Sequence, residues 1–193
     1  RQDECDLGPA TKVIEKAVRE AHFGCGLSLL KGLPYGLLNA AEYKFLVWLI
    51  GLKIGVARPQ GKATQYISEV TATGNTYRAA GGRGYNTNSS LDFHADGCDI
   101  VALACFNNAK AGGQSLISSS VSAWQVLVAE RPDLAEVACQ MFYFSRNQEE
   151  APDEKPFYRQ PLFDFEDGRL FAKWNRNRVR TAQKLAGVPK LTD

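Results

Sequence analysis

Apolar positions recur at helical spacing near the start of the chain, where Val13, Ile14, Ala17, Val18 and Ala21 follow Pro9 and precede Gly24. Proline suits a first helical turn and glycine a stop, so the pattern predicts an amphipathic helix over 9–23. The run CGLSLLKGL (25–33) reads as a short buried strand, and Asn39 with Glu42 three residues on has the form of a capping box opening a second helix toward Leu52. In TQYISEVTA (64–72), Tyr66, Ser68 and Val70 alternate with Ile67 and Glu69, which predicts a strand, and the Gly-rich turn GGRG (81–84) follows. DIVALACF (99–106) is apolar at nearly every position, as in a strand buried on both faces, and Gly112-Gly113 breaks the chain before a further short strand, QSLIS (114–118). Residues 118–138 predict two short helices hinged before Pro132, with a serine as N-cap. Residues 161–174 predict two strands joined by Asp167-Gly168, a strong hairpin signal, and 177–187 a helix closed by Gly187. No internal repeat interrupts this mixed α and β pattern.

Composition narrows the class without choosing a partner. With 193 residues, 45% hydrophobic and 23% charged, the chain has the make-up of a single globular domain spanning 1–193, and its net charge of +2 is too small for a long-range field. Cys5, Cys25, Cys98, Cys105 and Cys139 form an odd set without a C-x-x-C pair, which reads as reduced thiols of a cytoplasmic protein. The apolar run FLVWLIGL (45–52) lies between Lys44 and Lys53 and is well short of the roughly 20 residues a bilayer requires, so no membrane partner is expected. The N-terminal RQDECDLGPA has no apolar stretch of the kind a secretory signal needs, and it does not begin with Met.

The candidate chemistry lies in FHADGCDIVALACFNNAKAGGQS (93–115). Alternate residues of an extended segment point the same way, so His94 and Asp96 can offer an imidazole nitrogen and a carboxylate oxygen to one metal ion. They would cover two positions of the two-His, one-carboxylate face used by non-haem Fe(II) oxygenases. H-x-D alone is a weak signal, equally read as a turn histidine bonded to a nearby acid. Cys98 as a nucleophile paired with His94 is a further reading, but no third residue nearby is an obvious orienting group.

The order HADGCD, apolar strand, NNAKAGGQS, then a helix containing SAWQVL resembles the taurine dioxygenase-like (TauD/TfdA) family of Fe(II)- and 2-oxoglutarate-dependent oxygenases. The likeness extends to the N-terminal helix, GLSLLKGLP, ISEV and GRLFAKWNRNRVRTAQ, and so covers most of the chain from Lys12 onward. The resemblance implies a double-stranded β-helix, or jelly-roll, core with flanking helices of the clavaminate synthase-like type. It implies that His94 and Asp96 are iron ligands and that Ser115 stands where the family's G-G-x-T hydroxyl binds a 2-oxoglutarate carboxylate. Ser115 reads equally as a strand-edge serine after a tight turn. Tyr85, Asn86, Thr87 and Asn88 would lie at the cavity mouth and contact substrate, although each also suits a turn.

The departure is an absence. The family takes its distal His ligand and its 2-oxoglutarate-binding Arg from a segment after the basic helix, yet no histidine lies beyond His94, and His22 suits a helix C-terminus. Thr192 and Asp193 stand where a further helix N-cap would open, so the chain is expected to lack its C-terminal strands. The implied reaction couples decarboxylation of 2-oxoglutarate, giving succinate and CO2, to O2-dependent oxidation of a small-molecule substrate. Hydroxylation of an unactivated C–H is the usual outcome. The alternative is an inactive or truncated relative acting as a binding module. Its basic stretch from Arg169 to Lys190, which carries Phe171 and Trp174 and no acid, would be a nucleic-acid surface, a reading less favoured than a solvated helix face. Self-association is left open.

Overall fold

A computed structural model of the protein describes residues 6–59, 65–74, 84–147 and 149–192. The chain divides into two compact units: the first takes its described residues from 1–60, 65–67 and 98–115, and the second from 68–97 and 116–193.

In the first unit, α1 (Ala10–Phe23) buries Ile14, with Ala17, Val18 and Ala21 half-buried on the same side. Val13 turns outward. Helix α2 (Ala40–Ile54) begins at the expected capping box: Asn39 Oδ1 accepts from the backbone N–H groups of Ala41 and Glu42, and Glu42 Oε2 accepts from Asn39 N–H at 2.8 Å. These bonds satisfy donors that have no partner within the helix. Residues 98–115 are held to α2 by Tyr43, whose hydroxyl donates to the Cys105 carbonyl at 3.0 Å and whose ring lies 5.1 Å from that of Phe106.

The second unit is built on two antiparallel pairs. Strand β1 (Phe142–Ser145) pairs with β2 (Phe157–Gln160), bringing Phe142 opposite Gln160 and Ser145 opposite Phe157. Strand β3 (Phe163–Glu166) pairs with β4 (Arg169–Ala172) around a two-residue turn in which Asp167 and Gly168 have φ of 51° and 74°. Positive φ at both positions twists the chain in the sense that β-strands share, which is why Asp-Gly was a reliable signal here. Helices α3 (Ser120–Glu130) and α4 (Pro132–Ala138) break at Arg131, and the Ser119 hydroxyl caps α3. Helix α5 (Arg176–Ala182) starts at Asn175, whose side chain accepts from Arg178 N–H. It ends five residues before Gly187, whose positive φ closes the turn beyond it. The core gathers Ala138, Phe144, Leu162 and Phe163, against which Trp124, Leu127, Tyr158, Leu170 and Val179 pack.

Four expected strands differ. Residues 25–33, 99–106 and 114–118 form no ladder, and in 64–72 the described residues contribute only an isolated bridge at Gln65. The GGRG turn lies largely outside the described residues. The apolar pattern of 99–106 suited double burial, yet Val101 and Leu103 are 52% and 73% exposed. Hydrophobicity reports what a segment would bury, whereas a strand exists only where another backbone supplies hydrogen bonds, and among the described residues none does so here. The β1–β2 pair was not anticipated, because its aromatic strands are short and separated by a charged loop.

Phe144 is fully buried, so Phe144→Ala should cost about 3–5 kcal/mol in denaturant unfolding. Val56→Ala, at a 95% exposed position, should stay within about 0.5 kcal/mol. Burial, and secondarily the charge of Cys105, raises the Tyr43 pKa above the ordinary tyrosine value. The fold therefore favours the neutral phenol, and this contribution is complete below the ordinary value and lost as pH rises through the raised one. Tyr43→Phe should flatten that alkaline loss while costing about 1 kcal/mol near neutral pH.

Candidate functional site

His94 and Asp96 lie in the second unit, in a segment without regular secondary structure beside the end of the β3–β4 hairpin. Beyond β4 the ladder continues by one bond, from Lys173 N–H to the Leu162 carbonyl at 2.8 Å, and the next carbonyl, that of Trp174, accepts from Ala95 N–H at 2.7 Å. Ala95, the residue between His94 and Asp96, is thereby tied to the hairpin.

The candidate ligand atoms of the two side chains lie close together. His94 Nε2 stands 3.8 Å from Asp96 Oδ1, with the side chains 38% and 52% exposed. The other ring nitrogen, Nδ1, lies 2.7 Å from the Asp92 carbonyl oxygen. A carbonyl only accepts, so in the neutral ring this bond places the proton on Nδ1 and leaves the lone pair on Nε2, the nitrogen nearer Asp96. Metal-binding histidines are commonly oriented through such a bond to the non-ligating nitrogen. The donor chemistry and its orientation fit two positions on a divalent iron ion. Among the described residues no group of three His, Cys, Asp or Glu side chains could hold a metal, so the set has two protein donors.

The other expected site residues are placed less tellingly. Ser115 is exposed in the first unit, after Gly112 and Gly113, which have φ of 72° and 79°. Tyr85 and Asn86 belong to a single 3-10 turn (Gly84–Asn86), and Asn88 is exposed just after it. That turn is internally knitted: the Asn86 carbonyl accepts from Thr73 N–H at 3.0 Å, and the Thr87 hydroxyl donates to the Gly84 carbonyl at 3.0 Å. Asn86 and Thr87 thus have evident structural work, as turn chemistry allowed. Cys98 is an exposed thiol, as are Cys25, Cys105 and Cys139, while Cys5 lies outside the described residues. His22 sits at the end of α1 with its ring 4.5 Å from that of Phe23.

Several cations of the basic stretch are engaged in the fold. Arg178 donates to the Ser145 carbonyl and to Glu149 Oε2, both at 3.1 Å, and Lys190 donates to the Gln183 carbonyl. Lys173 reaches the metal-motif loop: a Cβ built on Gly97 would lie 2.9 Å from its Nζ. Sequence reasoning grouped Lys173 with the other basic residues; that it approaches 94–97 became visible only with the hairpin in place. Surface grooves along α3 (Ser122, Val126, Glu130) and at the end of α2 (Trp48, Val56, Tyr66) include neither His94 nor Asp96. Among the described residues no helix is long and apolar enough to cross a membrane.

The comparisons with known proteins bear on this geometry. Residues 5–190 match the family described as Taurine catabolism dioxygenase TauD, TfdA family. The chain is 32% identical over 87% of its length to FR-33289 synthase of Streptomyces rubellomurinus, covering 50% of that protein. It is 27% identical over 95% of its length to Taurine hydroxylase-like protein SAT17 of Stachybotrys chartarum, covering 47% of that protein. The chain thus spans about half the length of these two curated relatives.

The bond to the Asp92 carbonyl makes a prediction independent of metal. In the neutral ring, nitrogen NMR should find the proton of His94 on Nδ1 and a pyridine-type Nε2; the opposite tautomer would mean that Nε2 is not presented as a ligand.

Proposed function

The chain belongs to the taurine catabolism dioxygenase TauD, TfdA family, and from that membership we propose that it serves in an Fe(II)- and 2-oxoglutarate-dependent oxygenase that hydroxylates an unactivated C–H of a small metabolite. The observation that carries the proposal is the convergence of His94 Nε2 and Asp96 Oδ1, 3.8 Å apart, on a loop that the hairpin holds in place. A jelly-roll domain over 1–193 and a cytoplasmic location belong to the same proposal.

His94 and Asp96 would hold the iron, and the bound iron would supply O2 activation coupled to decarboxylation of 2-oxoglutarate to succinate and CO2. The roles of this chain's residues are binding and orientation. The Asp92 carbonyl would hold the ring through Nδ1–H, leaving Nε2 as the nitrogen offered to the ion. Asp96 brings one negative charge, which lowers the charge of a dication and leaves it able to bind an anionic cosubstrate. The Ser115 hydroxyl is proposed to donate to a 2-oxoglutarate carboxylate. Tyr85, Asn86 and Asn88 are proposed to border the substrate cavity. The remaining positions on the ion would be open to cosubstrate and O2. The likeness to a taurine hydroxylase-like protein supports oxidation of a small metabolite, and the identity of the substrate rests with loops that differ among members of one fold.

Anaerobic titration tests the assignment. His94→Ala and Asp96→Ala should each weaken Fe(II) binding at least about tenfold, the scale on which even supporting residues of metal sites act. Equal affinity in the unaltered protein and both variants would overturn it.

A further inference from the structure

We propose that Arg178 is a positioning residue of the His94–Asp96 site: its guanidinium clamps the first turn of α5 to the end of β1 and to the β1–β2 loop, and through the Trp174–Asn175 junction it fixes the carbonyl that holds Ala95. The inference rests on the proposed role of His94 and Asp96 and adds to it a residue that sets where the two ligands stand.

Trp174 supplies the first observation. Its carbonyl accepts from Ala95 N–H at 2.7 Å, and Ala95 is flanked by the two candidate ligands. That carbonyl lies in the peptide plane shared with Asn175, so its direction is set from both sides of the plane. Upstream, Lys173 N–H bonds to the Leu162 carbonyl and ends the β3–β4 ladder. Downstream, Asn175 is the N-cap of α5, and its side chain accepts from Arg178 N–H at 3.0 Å.

The second observation is how α5 is held. Its seven residues are too few for a helix that is stable alone, since isolated helices shorter than about 12–15 residues are marginal in water. Its position therefore comes from packing and from side-chain anchors. Ala182 is fully buried and Val179 packs on the core, which seats the later part of the helix. In the first turn the anchor is Arg178, whose Nη1 donates to the Ser145 carbonyl and whose Nη2 donates to Glu149 Oε2, both at 3.1 Å. Ser145 is buried, and the Arg178 and Glu149 side chains are 24% and 27% exposed, so this contact is partly withdrawn from solvent. The neighbouring Arg176 and Arg180 are exposed.

The chemistry of the side chain suits the task. A guanidinium is a rigid planar fork, so two donors engaged with acceptors on two segments fix its orientation as well as its distance. Arg178 thus joins the Asn175 cap, through its backbone, to β1 and the β1–β2 loop, through its side chain. Removing the fork would loosen the first turn of α5, and with it the peptide plane whose carbonyl receives Ala95.

Amide hydrogen exchange in metal-free protein reads this directly. Arg178→Met should speed exchange of the Ala95 amide at least about tenfold, while the Lys173 amide, on the ladder, stays within about twofold. In an anaerobic titration the same variant should weaken Fe(II) binding about tenfold, the scale on which supporting residues of metal sites act. Arg178→Lys, which keeps a cation facing Glu149, should recover part of both losses. Should Arg178→Met not fold, Glu149→Gln removes the charged partner and keeps the Ser145 bond, and it should move both readouts in the same direction by a smaller factor. Equal acceleration at Ala95 and Lys173 would mark general destabilisation, and unchanged Ala95 exchange would mean that the junction does not transmit the clamp; either overturns the proposal. So does faster Ala95 exchange with unaltered Fe(II) affinity. If the unaltered protein fails to bind Fe(II), the iron assignment falls, while Ala95 exchange still decides whether Arg178 positions the segment.

Discussion

One backbone hydrogen bond governs the candidate site. The Trp174 carbonyl accepts from Ala95 N–H at 2.7 Å, and through it a segment with no secondary structure of its own takes its position from a hairpin. Ala95 lies between the two candidate ligands, so this bond helps to place the backbone from which both side chains start. The hairpin can hold the segment because Asp167-Gly168 sets its register, Phe163 buries its inner face, and the Leu162 N–H bonds to the Ala138 carbonyl at the end of α4. The precision available to the two ligand atoms therefore descends from the core around Phe144.

Local orientation adds to this. The Asp92 carbonyl chooses the tautomer of His94 from two residues upstream, so the loop carries its own orienting group. Lys173 and Trp174 are consecutive residues of one strand extension, and they supply the ammonium near Gly97 and the carbonyl that bonds Ala95. A strand end is well suited to such a double duty. Its backbone is rigid, while its last side chains are no longer enclosed by the sheet.

The basic segment shows why composition could not assign its role. As a row of cations with two aromatics it has the features of a polyanion-binding stretch, and as a folded element its members part company. Arg178 holds the β1–β2 loop through Glu149, Lys190 turns back to Gln183, and Lys173, just after β4 and before α5, reaches the 94–97 loop. Spacing in the sequence separates these residues by a few positions; the β4–α5 junction sends them in different directions.

The sequence by itself determined the elements whose stability is local. The Asn39–Glu42 box, the Ser119 cap, the break before Pro132 and the Asp167-Gly168 turn each satisfy backbone groups within a few residues, so nothing distant was required to read them. It also singled out His94 and Asp96 as a pair, and the structure sets His94 Nε2 3.8 Å from Asp96 Oδ1. Tertiary structure decided everything that needs a partner from elsewhere. Residues 99–106 carry the hydrophobicity of a buried strand without its ladder, the unheralded β1–β2 pair forms from two brief aromatic runs, and Lys173 meets Gly97 across most of the second unit's sequence. The physical reason is the same in each case: apolar pattern and charge state what a residue can bind, and only the path of the folded backbone brings the partner within reach.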